Sequence, residues 1–395
     1  MNRSFKVISA DGHLEVPKEA WIKYMPEELR SRTPQLLRLR DGTEAWLVEG
    51  HPLIPIGPSL AGGVPQNGKP ITYFDPEGRP APGTGDARQR LREQDEDGID
   101  AEVLFPPILT GHAVQSIADK DVYRAIVRAY NTFLIRDYCP VAPDRLIACG
   151  VIPTTGIADA LAELQLCKDG GLKAVALTEF PAGNKFPVPE DDPFWEKALA
   201  IGMPVTAHTY IGTRFPPFIT QGNVGSLVMQ QTKVAAAAGI LTTRQVGFAP
   251  TYSVAQLIAS GVFDRFPELQ LYFAETNGTW LLGALWQMDD NYKTFEFRYP
   301  GPKLKKLPTE YFKQHVYCGF VRDPLLGRLS GMMPVENFMF GSDFPHGVTS
   351  YPATRRWLDE TFEGSPPGLR ERILVENPAR FFHLDLEKAI TPTPA

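Results

Sequence analysis

The chain has 395 residues, 43% of them hydrophobic and 22% charged, with a formal net charge of −6. That is ordinary globular composition, which excludes whole-chain disorder, and the length suffices for a large buried core. The 40 basic residues are scattered, and the densest runs (Arg88-Arg90-Arg92 and Lys303-Lys305-Lys306) sit beside acids or prolines, so a nucleic-acid partner is not expected. Four cysteines (Cys139, Cys149, Cys167, Cys318) lack CxxC spacing and read as reduced thiols. The first residues, MNRSFKVISADGH, carry no apolar leader, and no run approaches the length of a membrane span. The expectation is a cytoplasmic protein with no membrane contact.

Along the chain, residues 5–10 form an apolar run suited to a buried parallel strand, ending in Asp11-Gly12-His13. Residues 26–85 are rich in Pro and Gly, and Asp41-Gly42 between extended stretches signals a hairpin. This segment reads as an insertion over one face of the fold. Helix and strand lengths then alternate. A helix is predicted over 86–98, a strand over 101–105, a helix over 119–138, a strand over 146–152, a helix over 157–169 and a strand over 174–177. A helix over 194–201 precedes a strand over 204–207 that ends in His208, and helices near 225–239 and 253–265 follow. A strand over 269–274 ends in Glu275; a helix over 279–292, a strand near 315–318, a helix around 323–331 and a strand over 337–340 complete the series, with Asp343 just beyond. About eight strand–helix alternations imply a parallel sheet, and at this length a closed (β/α)₈ barrel is favoured. No Gly-rich phosphate loop occurs. Residues 1–388 read as one domain, and 389–395 as a disordered tail.

Such barrels carry their chemistry at the C-terminal ends of the strands. Asp11 and His13, two apart in an extended segment, point to the same side. His208, Glu275, Asn277 and Asp343 end other strands and converge with them in a barrel. Carboxylate oxygens with imidazole suit Zn²⁺, Mn²⁺ or Fe²⁺. Singly, each has a structural reading, such as a helix cap for the aspartates. Jointly, buried carboxylates are costly unless paired or metal-bound, so Asp11, His13, His208 and Asp343 are expected to form a metal site. His346 is a candidate for substrate contact or a loop hydrogen bond, and Arg322 for clamping a substrate carboxylate or for the surface. Glu15 is a supporting partner or a helix cap. Trp280 and Trp286 are expected in the core. His51 lies in the insertion, and His112, His315 and His383 are treated as structural.

The segments SADGHLEVPKEAW, LREQDEDGIDAEVLFPP, RAYNTFL, DPFWEKALAIGMPVTAHT, LYFAETNGTWL and FGSDFPH together resemble the amidohydrolase-related family. This family lies within the amidohydrolase superfamily and includes aminocarboxymuconate-semialdehyde decarboxylase-like enzymes. The resemblance spans about residues 5–384. It implies a distorted TIM barrel with one divalent metal ion, or sometimes two, and a first-strand pair at Asp11 and His13. It further implies a fifth-strand ligand at His208, an eighth-strand ligand and proton carrier at Asp343, and a homodimer. One departure stands out: many relatives carry a histidine at the end of the sixth strand, where this chain has Glu275. Glu275 is thus open as an extra ligand or as a proton carrier. The expected activity is decarboxylation or hydrolysis of a small carboxylated or acyl-bearing cyclic substrate. Ester, thioester or amide hydrolysis at one or two metals, and an inactive barrel acting as a binding protein, are the alternatives.

Overall fold

A computed structural model describes residues 4–63, 70–75, 77–107, 113–212, 249–298 and 303–394. The architecture follows from apolar runs long enough for strands buried on both faces, separated by capped helices. Eight strands form one all-parallel sheet in the order β1 (Ile8–His13), β5 (Ala101–Phe105), β6 (Leu146–Val151), β7 (Ala174–Leu177), β8 (Val205–His208), β9 (Leu271–Ala274), β10 (Val316–Phe320) and β11 (Phe338–Phe340). The last strand returns beside the first: Asp343 N–H donates to Asp11 O at 2.9 Å and His13 N–H to Phe344 O at 2.7 Å. The sheet thereby curls into the predicted (β/α)₈ barrel.

Local signals set the helix boundaries. Asp86 accepts from Gln89 N–H at the start of α2 (Ala87–Asp97), and Gly98 closes it in a left-handed conformation with φ +75°. Asp119 caps α3 (Lys120–Phe133) through the N–H groups of Asp121 and Val122. The helices α4 (Ile157–Asp169) and α5 (Asp192–Ala200) follow β6 and β7; α4 and β7 have the bounds read from sequence.

The segment after β1 holds the short helix α1 (Lys18–Tyr24) and a small antiparallel sheet of β2 (Gln35–Arg38), β3 (Glu44–Leu47) and β4 (Ile54–Pro55). Asp41-Gly42 turns β2 into β3, with Gly42 at φ +85°. This segment packs over the loop beyond β11, where Gly62 N–H donates to Pro345 O at 2.9 Å.

Four expectations need correction. The first strand runs from Ile8 to His13, so Asp11 and His13 lie within it and not after it. No helix forms over 323–331. One oxygen of Asp323 accepts from Leu325 N–H at 3.3 Å, the other from Gly278 N–H and Thr279 N–H of a distant loop at 2.8 and 3.3 Å, and Gly327 lies flush against the Thr361 carbonyl. A helix (Pro308–His315) instead precedes β10, with proline in its first turn and Glu310 accepting from Leu307 N–H. The tail is docked: Ile390 is buried, and Thr393 accepts from Arg145 and donates to Asp95. The helix expected over 225–239 lies outside the described residues, and that over 253–265 is two helices, Ala249–Ala259 and Val262–Arg265, broken at Gly261. Among the described residues no helix is long and apolar enough to cross a membrane.

Candidate metal centre

The site begins with an irregularity in β1. Ser9 pairs with Glu102 but Gly12 with Leu104, so the first strand carries one extra residue against β5. A bulge of this kind bends a strand and re-aims its side chains. Asp11 and His13 consequently project together beneath the end of β8. His13 Nε2 lies 2.9 Å from His208 Nε2 and 3.3 Å from Asp343 Oδ1, while Asp11 Oδ1 lies 3.8 and 3.7 Å from the two imidazoles. One potential ligand atom from each of Asp11, His13, His208 and Asp343 falls within 4.8 Å of the others. Asp11 and Asp343 are each only 1% exposed.

The backbone is strained at this mouth. Thr209, Glu275, Asn277 and Asp343 all have positive φ, between 52° and 60°. Left-handed backbone costs a non-glycine residue roughly 1–3 kcal/mol, and such strain collects at functional sites. Here it turns the chain sharply after β8, β9 and β11, so that side chains face inward.

Both oxygens of Asp11 and His346 Nε2 are buried without a hydrogen-bond partner among the described residues. Two imidazole nitrogens also face one another across 2.9 Å. Buried acceptors are ordinarily satisfied, and a divalent cation satisfies this set. With Nε2 turned inward, the His13 proton belongs on Nδ1, 3.4 Å from Pro106 O, the usual support for a metal-binding imidazole.

The electrostatics of the cluster favour a bound cation. Burial, followed by repulsion from Asp343 and Glu275, pushes the Asp11 carboxyl well above its ordinary range. Burial and Asp343 push Glu275 up to about 8. Burial and the neighbouring His346 bring His13 down to about 4. Asp343 is pulled the other way. Burial would raise it, but His346 and His13 beside it outweigh burial and hold it below the carboxylate range.

The remaining candidates divide. Glu275 Oε2 approaches His208 Nε2 at 3.6 Å, at the edge of the four-residue cluster. His346 stacks on His13 with ring centroids 3.7 Å apart, and its Nδ1 lies 2.9 Å from Asp343 Oδ1. Glu15 is buried, and burial raises it to about 7. Asn277 shares the turn after β9, and its N–H donates to Gly319 O. Arg322 does not face the site: its side chain is 54% exposed, and its guanidinium pairs with Glu360 and lies over Trp357, where two surface partners hold it outward. Trp286 is not in the core either, at 69% exposed, whereas Trp280 is half-buried with its indole N–H on Thr276 O. His51 bonds locally to Pro52 O, and His315 is structural, buried on Phe263 and bonded to Leu269 O. His112 lies outside the described residues, and His383 is exposed.

Sequence reasoning missed the buried side chains behind the cluster. Arg90 donates to His13 O and Phe344 O, and Glu102 accepts from Ser342 Oγ at 2.8 Å. The available signal was a glutamate inside the apolar strand AEVLF, which a fully buried strand does not accommodate without a partner.

Residues 11–384 match the family model Amidohydro_2, described as amidohydrolase. The chain belongs to this family. Among solved structures it resembles an amidohydrolase from Mycobacterium avium subsp. paratuberculosis K-10, with a TM-score of 0.69 and 19% identity over 96% of this chain and 99% of that one. It also resembles 5-carboxyvanillate decarboxylase from Sphingomonas paucimobilis, with a TM-score of 0.64 and 19% identity over 97% and 100% of the two chains. A third is a dihydroxybenzoic acid decarboxylase from Polaromonas sp. JS666, solved with manganese and the inhibitor 2-nitroresorcinol (TM-score 0.61, 19% identity, 97% and 98% coverage). None of the curated proteins compared with the chain matches it.

Proposed function

We propose that this protein is a metal-dependent carboxy-lyase that removes carbon dioxide from a small hydroxylated aromatic acid. The observation that carries the reading is the convergence of Asp11, His13, His208 and Asp343, with both oxygens of Asp11 buried and unsatisfied. The substrate class is suggested by the similar 5-carboxyvanillate and dihydroxybenzoic acid decarboxylases, the latter with bound manganese. Asp11, His13, His208 and Asp343 would hold the ion. A divalent ion in such a set stabilises negative charge on a substrate oxygen and acidifies bound water.

The chain's own groups supply the rest. Glu275, raised to about 8, keeps a proton at neutral pH at the rim of the cluster. It is the acid assigned to protonate the ring carbon as the bond to the carboxylate breaks and its electron pair passes to the ring. His346, stacked on His13 and beside Asp343, holds Asp343 ionised and presents its free Nε2. Asn277 and the insertion around Gly62 shape the entrance.

A second reading is hydrolysis of a neutral ester, thioester or amide, with Glu275 as a further ligand. It is favoured by the outward direction of Arg322, which leaves a substrate carboxylate without that clamp. An inactive binding barrel is the third. We also read the chain as a cytoplasmic homodimer. The buried free cysteines fit a reducing compartment, and the exposed Trp286 and Phe297 offer apolar surface for a second copy.

Metal analysis and product assays separate these readings. The purified protein is expected to hold stoichiometric metal that His208→Ala and Asp343→Ala each lose. Manganese-loaded protein is expected to release carbon dioxide from hydroxybenzoates, with Glu275→Gln slower but still metal-loaded. Incorporation of labelled water into an acid product would establish the hydrolase instead, and absence of metal from the parent would favour the binding protein.

A further inference from the structure

The barrel closes between β1 and β11, and this seam has no strand ladder. The two backbone bonds between Asp343 and Asp11 and between His13 and Phe344 are supplemented by side chains. Ser342 N–H donates to Ser9 Oγ at 2.9 Å, and Ser9 Oγ donates to Asp11 O at 2.8 Å. Ser342 Oγ donates to Glu102 Oε1 at 2.8 Å, and Gln94 holds the other oxygen at 3.2 Å. Arg90 Nε lies 3.5 Å from Glu102 Oε2, both side chains being 2% exposed. The Arg90 guanidinium reaches across the seam to His13 O on one side and Phe344 O on the other, and it lies over the Phe344 ring. A methyl group at Gly12 would stand 2.3 Å from Glu102 Oε1, so the bulged strand and this carboxylate are fitted to one another.

Asp11 and His13 lie on one side of the seam and Asp343 on the other, some 330 residues apart in the chain. A strand ladder would fix their separation through the backbone alone. Here the buried side chains do so: Arg90 bonds the backbone of His13 and of Phe344, Ser9 bonds Asp11 O and Ser342 N–H, and Glu102 ties Arg90 to the Ser342 hydroxyl beside Asp343. A buried ion pair is seldom retained for stability, since apolar residues of equal volume often do as well. Its value at this position is geometric.

We infer that Arg90, Glu102 and Ser342 form a clasp across the barrel seam that positions Asp343 against Asp11 and His13 and so sets the affinity for the divalent ion. These are positioning residues. None needs to touch substrate or the ion, and the inference rests on the metal-dependent reading above.

The test measures Mn²⁺ dissociation constants by competition with a chromogenic chelator, and urea unfolding of the same proteins in EDTA. Ser342→Ala and Glu102→Gln are expected to weaken Mn²⁺ binding roughly 10- to 100-fold, the range found when groups behind metal ligands are removed. Ser342→Thr, which keeps the hydroxyl, restores it. Arg145→Met, at the opposite end of the barrel, serves as the control: it loses stability with unchanged affinity. Should Glu102→Gln fail to fold, Ser342→Ala decides, because it deletes one hydroxyl. Unchanged affinity in folded Ser342→Ala, or a loss that Arg145→Met reproduces, overturns the clasp. A parent protein that binds no Mn²⁺ overturns the metal reading instead.

Discussion

Titration of the cluster makes its charge requirement measurable residue by residue. Without an ion, burial and mutual repulsion raise Asp11 and Glu275, the latter to about 8, and the raised Glu15 lies near 7. A carboxyl raised on folding contributes stability that is complete below its unfolded value and is lost as pH climbs through the folded one. His13, lowered to about 4, acts oppositely, but only below its unfolded value near 6.5, and the lowered Asp343 acts lower still. Between pH 6.5 and 8 the signs therefore agree, and EDTA-treated protein is expected to lose stability with rising pH. A divalent ion held by Asp11 must displace that carboxyl's proton, so Mn²⁺ affinity should climb as pH rises, with protons released on binding. Calorimetric titration in buffers of different ionisation enthalpy reads both; pH-independent affinity without proton release would contradict the assignment. The four central residues were legible in sequence because each ends a strand or lies in one at period two. Arg322 was not, since its place after a strand says nothing of whether the side chain turns inward. Arg90 and Glu102 were hidden because a charged residue in an apolar run names no partner.

At the level of elements, apolar strands and capped helices were readable wherever the local signals agreed, as for α4 and β7. They misled over 323–331, where the Asp323 carboxylate is shared between Leu325 N–H in its own turn and the Gly278 and Thr279 N–H groups of the loop after β9, and at β1, whose bulge depends on register with β5. The close approach of strands at the seam is equally non-local, and Gly341 shows it. A Cβ there would stand 2.3 Å from Asp11 Cβ and 3.1 Å from its backbone, with β1 held firmly behind it. Gly341→Ala is expected to cost about 1–3 kcal/mol, as overpacking does, and to weaken metal binding by displacing Asp11. Gly283, in the helix Leu281–Phe295, has open space around its Cβ position, so Gly283→Ala should gain about 0.5–1 kcal/mol with metal binding untouched. Urea unfolding and Mn²⁺ titration of the pair check this, and equal responses at the two glycines would refute it.

Across the whole molecule the two ends of the barrel do different work. The strained mouth gathers at the C-terminal ends of the strands, while the opposite end is tied together by a buried guanidinium and the docked tail. Arg145, which enters β6, is fully buried there; it donates to Asp100 O, to Asp95 at 2.8 Å and to Thr393 Oγ at 2.9 Å. Thr391 N–H donates to Asp144 at 2.7 Å, and Ile390 is 5% exposed. The final residues thus cover the base of the barrel, a role that their Pro- and Thr-rich sequence does not advertise because its partners come from distant strands and helices. Deleting residues 390–395 removes an apolar anchor and leaves part of a buried guanidinium without its acceptor. Such a change costs on the order of 1–3 kcal/mol. Because conserving function at the strand ends while trading stability at their starts is the division expected of this barrel, Mn²⁺ affinity should stay within about twofold. A urea midpoint that does not move would mean the tail contributes nothing. A fall in affinity matching the fall in stability would mean that base and mouth respond as one unit.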